Sequence, residues 1–179
     1  MSGSIRSEST NGALLRAAAG MSSEFQFDVC AQEIAALPAF SPDLDGMGAT
    51  PPPAVAALRA RIGRADGVIV SCPEYAHGVP GAFKNALDWI VSSGEFTDKP
   101  TLVWMASPSG AQQARLALLP TLKIIGARIV HDRSIQLARP NFNENGELLS
   151  ETIADAIAQD LKLLQQFLRE GQSAVAAAN

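Results

Sequence analysis

Residues 67–89 read GVIVSCPEYAHGVPGAFKNALDW and predict a strand, a loop and a helix in succession. The apolar run from Gly67 to Cys72 is typical of a buried strand, and the helix follows over residues 82–91. The polar loop between them therefore lies at the carboxyl end of a strand, where ligands of open parallel sheets bind. This loop is the first candidate binding segment. Its candidate site residues are Pro73, Glu74, Tyr75, Ala76, His77 and Gly78.

Strands and helices alternate along the rest of the chain. Residues 25–30 alternate apolar and polar side chains as a strand does, and further strands are expected at 101–106 and 127–137. Helices are expected at 11–19, after the N-cap types Ser9 and Thr10, and at 55–62, 112–125 and 153–168. This order predicts an α/β fold, a doubly wound parallel sheet with helices on both faces. A single domain spans residues 1–170, and residues 171–179 are expected to form a disordered tail.

Composition excludes several classes of function. The 179 residues, 47% of them hydrophobic, suit one core, and a net charge of -4 without a basic block gives no footprint for nucleic acid or an anionic membrane. Cys30 and Cys72 lie far apart without metal-ligand spacing, so neither a disulfide nor a metal site is predicted. No apolar run approaches the roughly 20 residues that span a bilayer, and no secretion signal is visible. A cytoplasmic protein is expected.

A second candidate loop precedes the first helix. Residues 3–11 read GSIRSESTN, which places hydroxyls and a guanidinium directly before helical amides. Such a helix start can hold a phosphate through its N–H groups and dipole, although serines there also act as caps and an arginine is often solvated. The candidate phosphate ligands are Ser4, Arg6, Ser9 and Asn11.

The expected position of this loop in the fold favours the interpretation that it binds a phosphate. A third loop, with Ser107, Ser109 and Gly110, follows the strand at 101–106, so three loops are expected on one rim of the sheet. A phosphate and an attached flat ring could be held together there. Neither a Walker-type motif nor a Gly-x-Gly-x-x-Gly fingerprint is present.

The segments GSIRSESTN at 3–11, PEY at 73–75 and PGAFKNALDW at 80–89 resemble the NADPH-dependent FMN reductase family, in the family's order and over most of the chain. The resemblance implies a flavodoxin-like fold, bound FMN, and hydride transfer from NAD(P)H to flavins, quinones, azo dyes or metal oxyanions such as chromate. It also implies a homodimer or homotetramer with a small-molecule electron acceptor. The alternative is a flavodoxin-like binding or electron-carrier protein without reductase turnover.

The resemblance also implies residue roles. Ser4, Arg6, Ser9 and Asn11 would bind the FMN phosphate, residues 74–78 would run along the isoalloxazine ring, and Ser107, Ser109 and Gly110 would close its other side. No catalytic side chain is assigned, because the ring does the chemistry in ping-pong turnover. His77 is the one plausible proton donor, but a loop histidine more often has a structural or solvent-facing role.

Two features depart from the family pattern. Ala76 stands where many members have Asn, which leaves substrate preference open. Only Met1 and Ser2 precede Gly3, so the family's apolar first strand is missing or truncated, and a gap lined by unpaired N–H and C=O groups is expected in the sheet. We expect the native start to lie upstream, which mass spectrometry of the protein from its host tests. The alternative is a rearranged sheet with a weakened phosphate loop.

Overall fold

A parallel sheet carries the fold. The computed structural model describes residues 1–46 and 48–177. In this part of the chain the strands are β1 (Val68–Cys72), β2 (Pro100–Ser107) and β3 (Arg128–Gln136), in the order β1-β2-β3. Both pairings are parallel, so the three strands end at the same edge of the sheet. The predicted α/β fold is confirmed.

Helices cover both faces of this sheet. They are α1 (Thr10–Gly20), α2 (Gln32–Ala35), α3 (Pro53–Arg64), α4 (Gly81–Asp88), α5 (Gln112–Ile124) and α6 (Glu151–Ala177). Successive side chains of a strand point to opposite faces, and β2 therefore supplies two cores. Val103 and Met105 pack in the core that α3, α4 and α5 share, whereas Trp104 packs with α1 and α6. Within the described residues, none of the helices combines the length and apolar character needed to cross a membrane.

The strand predicted at residues 25–30 is wrong. This segment is extended but forms no ladder of strand hydrogen bonds. The Cys30 carbonyl accepts a main-chain hydrogen bond of 2.8 Å from the Ser2 N–H. Met1 to Gly3 lie between it and β1 and pair with β1 through a single parallel bridge, Ser2 to Ser71. A groove of 570 Å³ separates the rest of the segment from residues 67–69, so the alternating side chains have no strand beside them. Residues 1–3 thus add one bridge to β1 and form no strand of their own.

The helix α6 continues to Ala177, within the segment 171–179 for which the sequence predicts a disordered tail. Residues 173–177 read SAVAA, and alanine has the highest helix propensity. Extending an existing helix also costs far less than starting one. The last two residues of the predicted tail lie outside the described residues.

Candidate functional site

The N-terminal loop (residues 3–9) leads into α1 as predicted. The Ser9 side chain accepts a hydrogen bond from the Gly12 N–H at 3.2 Å, so it caps the helix. Ser4 is buried at 3% exposure, whereas Arg6 is exposed and its guanidinium has no partner among the described residues. Since the first N–H groups of a helix lack intrahelical acceptors, this helix end offers amide donors, and an exposed cation precedes it in the same loop.

The Asn11 side chain is used inside the protein. Its amide nitrogen donates to the Ala106 carbonyl at 3.0 Å, and its amide oxygen accepts from the Ser71 hydroxyl at 2.7 Å. The residue is 2% exposed. Asn11 therefore fastens the first turn of α1 to the carboxyl ends of β1 and β2, and the group it offers to a ligand is its backbone N–H.

A tight turn occupies the β1–α4 loop (residues 73–80). Tyr75 and Gly78 exchange two backbone hydrogen bonds of 3.0 Å. Ala76 and His77 between them have φ angles of 49° and 59°, the left-handed conformation of a type I′ turn. Such backbone costs about 1 kcal/mol or more for each residue that carries a Cβ, and strained backbone of this kind is concentrated at functional sites. The turn tip presents the two backbone N–H groups of Ala76 and His77.

The Glu74 carboxylate joins this loop to α5. Its Oε2 accepts hydrogen bonds from the N–H groups of Gln113 and Ala114 at 2.8 and 2.9 Å. The residue at the N-cap of α5, Ala111, has no side chain that can cap the helix. Glu74 thus caps α5 from 39 and 40 positions away in the chain. The His77 ring lies 3.5 Å from the other carboxylate oxygen, but it is 87% exposed.

The β2–α5 loop (residues 107–111) completes the rim. The Ser107 and Ser109 hydroxyls lie 3.2 Å apart. Gly110 has a φ of 84°, and a Cβ added there would lie 3.0 Å from the Ser134 hydroxyl, so glycine is needed for both conformation and space. The Ser134 hydroxyl also donates to the Gly110 carbonyl at 2.5 Å. The loop is therefore held against β3.

The three loops are joined to one another by side chains. The Ser4 and Tyr75 hydroxyl oxygens lie 2.9 Å apart. Glu74 caps the start of α5, and Asn11 bonds α1 to the ends of β1 and β2. The structure thus places the predicted site residues on one rim. A free guanidinium, helical N–H donors and an adjacent exposed turn fit a phosphorylated ligand with a flat ring.

Asn85 and Trp89 carried no functional signal of their own in the sequence, and the structure gives both a structural role. Asn85 accepts from the Phe40 N–H at 2.8 Å and donates to the Pro38 carbonyl at 2.9 Å. The Trp89 indole donates to the same carbonyl at 2.9 Å. These contacts fasten the long loop after α2 to α4, which explains the Asn and Trp of the KNALDW segment as structural residues. Their spacing of four on one helix face is the signal that could have found them.

The two cysteines are buried and Lys84 is paired, so these three residues have structural roles. Burial raises the pKa of the Cys72 thiol to about 12, so its nucleophilic thiolate is scarcely formed at neutral pH. Burial also raises the pKa of Cys30. Lys84 pairs with Asp88 at 2.5 Å within α4. The described residues contain no group of three or more His, Cys, Asp or Glu side chains placed to hold a metal ion.

Comparison with known proteins identifies the family. The NADPH-dependent FMN reductase model matches residues 1–143. An NAD(P)H-dependent FMN reductase of Pseudomonas aeruginosa is 31% identical over 175 residues, 94% of this chain and 93% of that protein. A probable NADPH:quinone oxidoreductase of Oryza sativa subsp. japonica is 32% identical, with 92% and 88% covered.

The fold agrees with a solved relative. The flavoenzyme FerB, an NAD(P)H:(acceptor) oxidoreductase from Paracoccus denitrificans, superposes with a TM-score of 0.81 at 26% identity and 95% coverage of both chains. The chain belongs to the NADPH-dependent FMN reductase family and is an NAD(P)H-dependent oxidoreductase.

Proposed function

We propose that this protein holds FMN with its phosphate at the start of α1 and its ring along the turn at 75–78, and uses NAD(P)H to reduce small acceptors. The observation that carries the proposal is the exposed Arg6, without a partner among the described residues and four residues before the start of a helix that Asn11 fixes to the sheet. Arginine binds phosphate through a planar fork of donors, and the helix dipole adds to the attraction. Family membership supports FMN and NAD(P)H as the pair of cofactors.

The protein contributes binding and orientation. Bound FMN supplies the chemistry of hydride acceptance and donation. The exposed N–H groups of Ala76 and His77 offer donors for polar ring atoms, and the β2–α5 loop with Ser107, Ser109 and Gly110 borders the other side. The Glu74 carboxylate beside the turn is engaged as the cap of α5, so no side chain is assigned to proton transfer. His77, at 87% exposure, is in contact with solvent.

The acceptors proposed are flavins, quinones, azo compounds and metal oxyanions. Quinones are named for relatives from rice, Arabidopsis thaliana and Escherichia coli. NAD(P)H and the acceptor would use the same open space in turn, which gives ping-pong kinetics. Parallel lines in double-reciprocal plots of NADPH against a benzoquinone support this order, whereas intersecting lines contradict it.

The proposal extends to the cell and the assembly. We propose a cytoplasmic homodimer or homotetramer, on the family resemblance. Sedimentation equilibrium of the purified flavoprotein tests the assembly, and a monomer at micromolar concentration contradicts it. Fractionation of host cells tests the location.

The decisive experiment compares flavins with and without a phosphate. Arg6→Ala should weaken FMN binding at least about tenfold, as expected for a lost hydrogen bond to a charged group, and leave riboflavin binding unchanged. Arg64→Ala is the matched control, because Arg64 is also exposed but ends α3, before β1, at the opposite edge of the sheet. Unchanged FMN binding in Arg6→Ala rejects the phosphate position. Failure of the purified protein to oxidise NADPH with FMN and a quinone present rejects the activity.

A further inference from the structure

The chain contains two Asn-Gly pairs, and the fold gives them opposite surroundings. Asn145 and Gly146 lie in the loop between β3 and α6, whereas Asn11 and Gly12 lie in the first turn of α1. In such a pair the backbone nitrogen of the glycine can attack the side-chain carbonyl of the asparagine, because glycine has no Cβ to hinder the approach. The local structure therefore decides which of the two pairs reacts.

The pair at Asn145 is open to solvent. Asn145 is exposed, and its side-chain amide has no hydrogen-bond partner among the described residues. A Cβ built on Gly146 would meet no atom within 4 Å, so nothing crowds the approach of the nitrogen to the side-chain carbon. The Gly146 N–H donates to the Asn143 carbonyl at 3.1 Å, across a turn whose tip is exposed. Hydrogen bonds of this kind open at little cost, which frees the nitrogen to react.

The pair at Asn11 is held in place. Asn11 is 2% exposed, and its side-chain amide is bonded at both ends, to the Ala106 carbonyl at 3.0 Å and to the Ser71 hydroxyl at 2.7 Å. The backbone of the pair is helical, and the Gly12 N–H donates to the Ser9 hydroxyl at 3.2 Å. A side chain bonded in this way cannot turn its carbonyl carbon toward the next nitrogen. The bonds that fasten α1 to the sheet therefore also protect Asn11.

We propose that Asn145 is a site of spontaneous deamidation, with water as the co-reactant. The Gly146 nitrogen forms a bond to the Asn145 Cγ, the bond from Cγ to Nδ2 breaks, and ammonia leaves with the proton that the Gly146 nitrogen gives up. Water then opens the cyclic imide at one of its two carbonyl carbons, which gives aspartate or isoaspartate. Either product adds a negative charge between Glu144 and Glu147, and isoaspartate also lengthens the main chain by one methylene. A more acidic form of the protein thus accumulates with its age.

The test incubates the full chain at pH 8 and compares two tryptic peptides with those of unincubated protein by tandem mass spectrometry. The peptide 134–162 carries Asn145, and the peptide 7–16 carries Asn11. In the native protein we expect the first peptide to show conversion of an amide to an acid at Asn145, with isoaspartate among the products, and the second to stay unchanged. In urea, where the fold no longer separates the two pairs, both peptides should deamidate at comparable rates.

Asn145→Gln is the matched variant, because glutamine keeps the amide but must close a larger ring, and it should lose the modification at this position. If Asn145 stays unmodified in the native protein, whether or not the unfolded chain reacts, the proposal fails. If Asn11 reacts as fast as Asn145 in the native protein, the contrast between the two pairs is overturned. Aspartate formed without isoaspartate means direct hydrolysis and rejects the attack by Gly146. None of these outcomes depends on flavin binding, so the proposed function is tested separately.

Discussion

Removal of the Glu74 carboxylate should destabilise the protein measurably. Glu74 accepts from two N–H groups at the start of α5, 2.8 and 2.9 Å away, and its side chain is 12% exposed. Loss of an N-cap costs about 0.5–2 kcal/mol, and loss of a negative charge at a helix start adds about 0.3–1 kcal/mol. Glu74→Ala should therefore lower the free energy of unfolding by about 2 kcal/mol.

The assay is thermal unfolding of the flavin-free protein by circular dichroism, because a bound ligand would shift Tm by mass action. For a chain of this size 1 kcal/mol corresponds to about 2–4 °C, so we expect Tm to fall by about 4–8 °C. Glu74→Gln keeps an oxygen that can accept but removes the charge, and it should lose about half as much. Glu144→Ala, in an exposed turn, is the control for loss of a carboxylate. A Tm of Glu74→Ala within about 1 °C of the unsubstituted protein would refute the assignment of Glu74 as the cap of α5.

Three further predictions concern buried or paired groups. Asp160 is fully buried and accepts from Arg133 at 2.8 and 2.5 Å, so Asp160→Ala should cost about 3 kcal/mol in urea unfolding, and a loss under about 1 kcal/mol would contradict this. Cys72, with its pKa raised to about 12 by burial, should resist a thiol reagent at pH 8 until the protein is unfolded; rapid labelling of native protein would count against it. The hydrogen bond from Arg61 lowers the pKa of Asp28, so this carboxylate stabilises the fold above its unfolded pKa of about 3.9 and loses that contribution as the pH falls through the folded value. Arg61→Gln should therefore flatten the loss of stability below about pH 4, and an unchanged acid-unfolding profile would disprove the linkage.

The local sequence pattern was sufficient to predict the elements that depend on residues close to them in the chain. The N-cap at Ser9 and the apolar run at residues 68–72 predicted α1 and β1 because capping and strand burial depend on near neighbours in the chain. The alternation at residues 25–30 is equally regular, yet no strand forms there. A strand needs a partner along its length, and a pattern of period two contains no information about whether that partner exists.

Residue type was a weaker guide within the site. Asn11 and Glu74 have side chains suited to a polar ligand, and both stand in segments predicted to bind one. Their partners are 39 to 95 positions away, at the start of α5 and at the ends of two strands. Such contacts depend on how the rim closes in three dimensions, which the spacing of residues in one segment cannot reveal. The exposure of Arg6 was predictable, because a cation in a loop before a helix needs no distant partner.

The same long-range contacts would also preorganise the proposed site. Three separate loops would each lose conformational entropy if a ligand had to order them. Asn11, Glu74 and the hydroxyl pair of Ser4 and Tyr75 hold the loops together through the protein's own bonds, so much of that entropy is lost during folding. These links between the loops would raise the affinity of the proposed site by fixing the groups that contact the ligand, and loosening any of the three should weaken flavin binding.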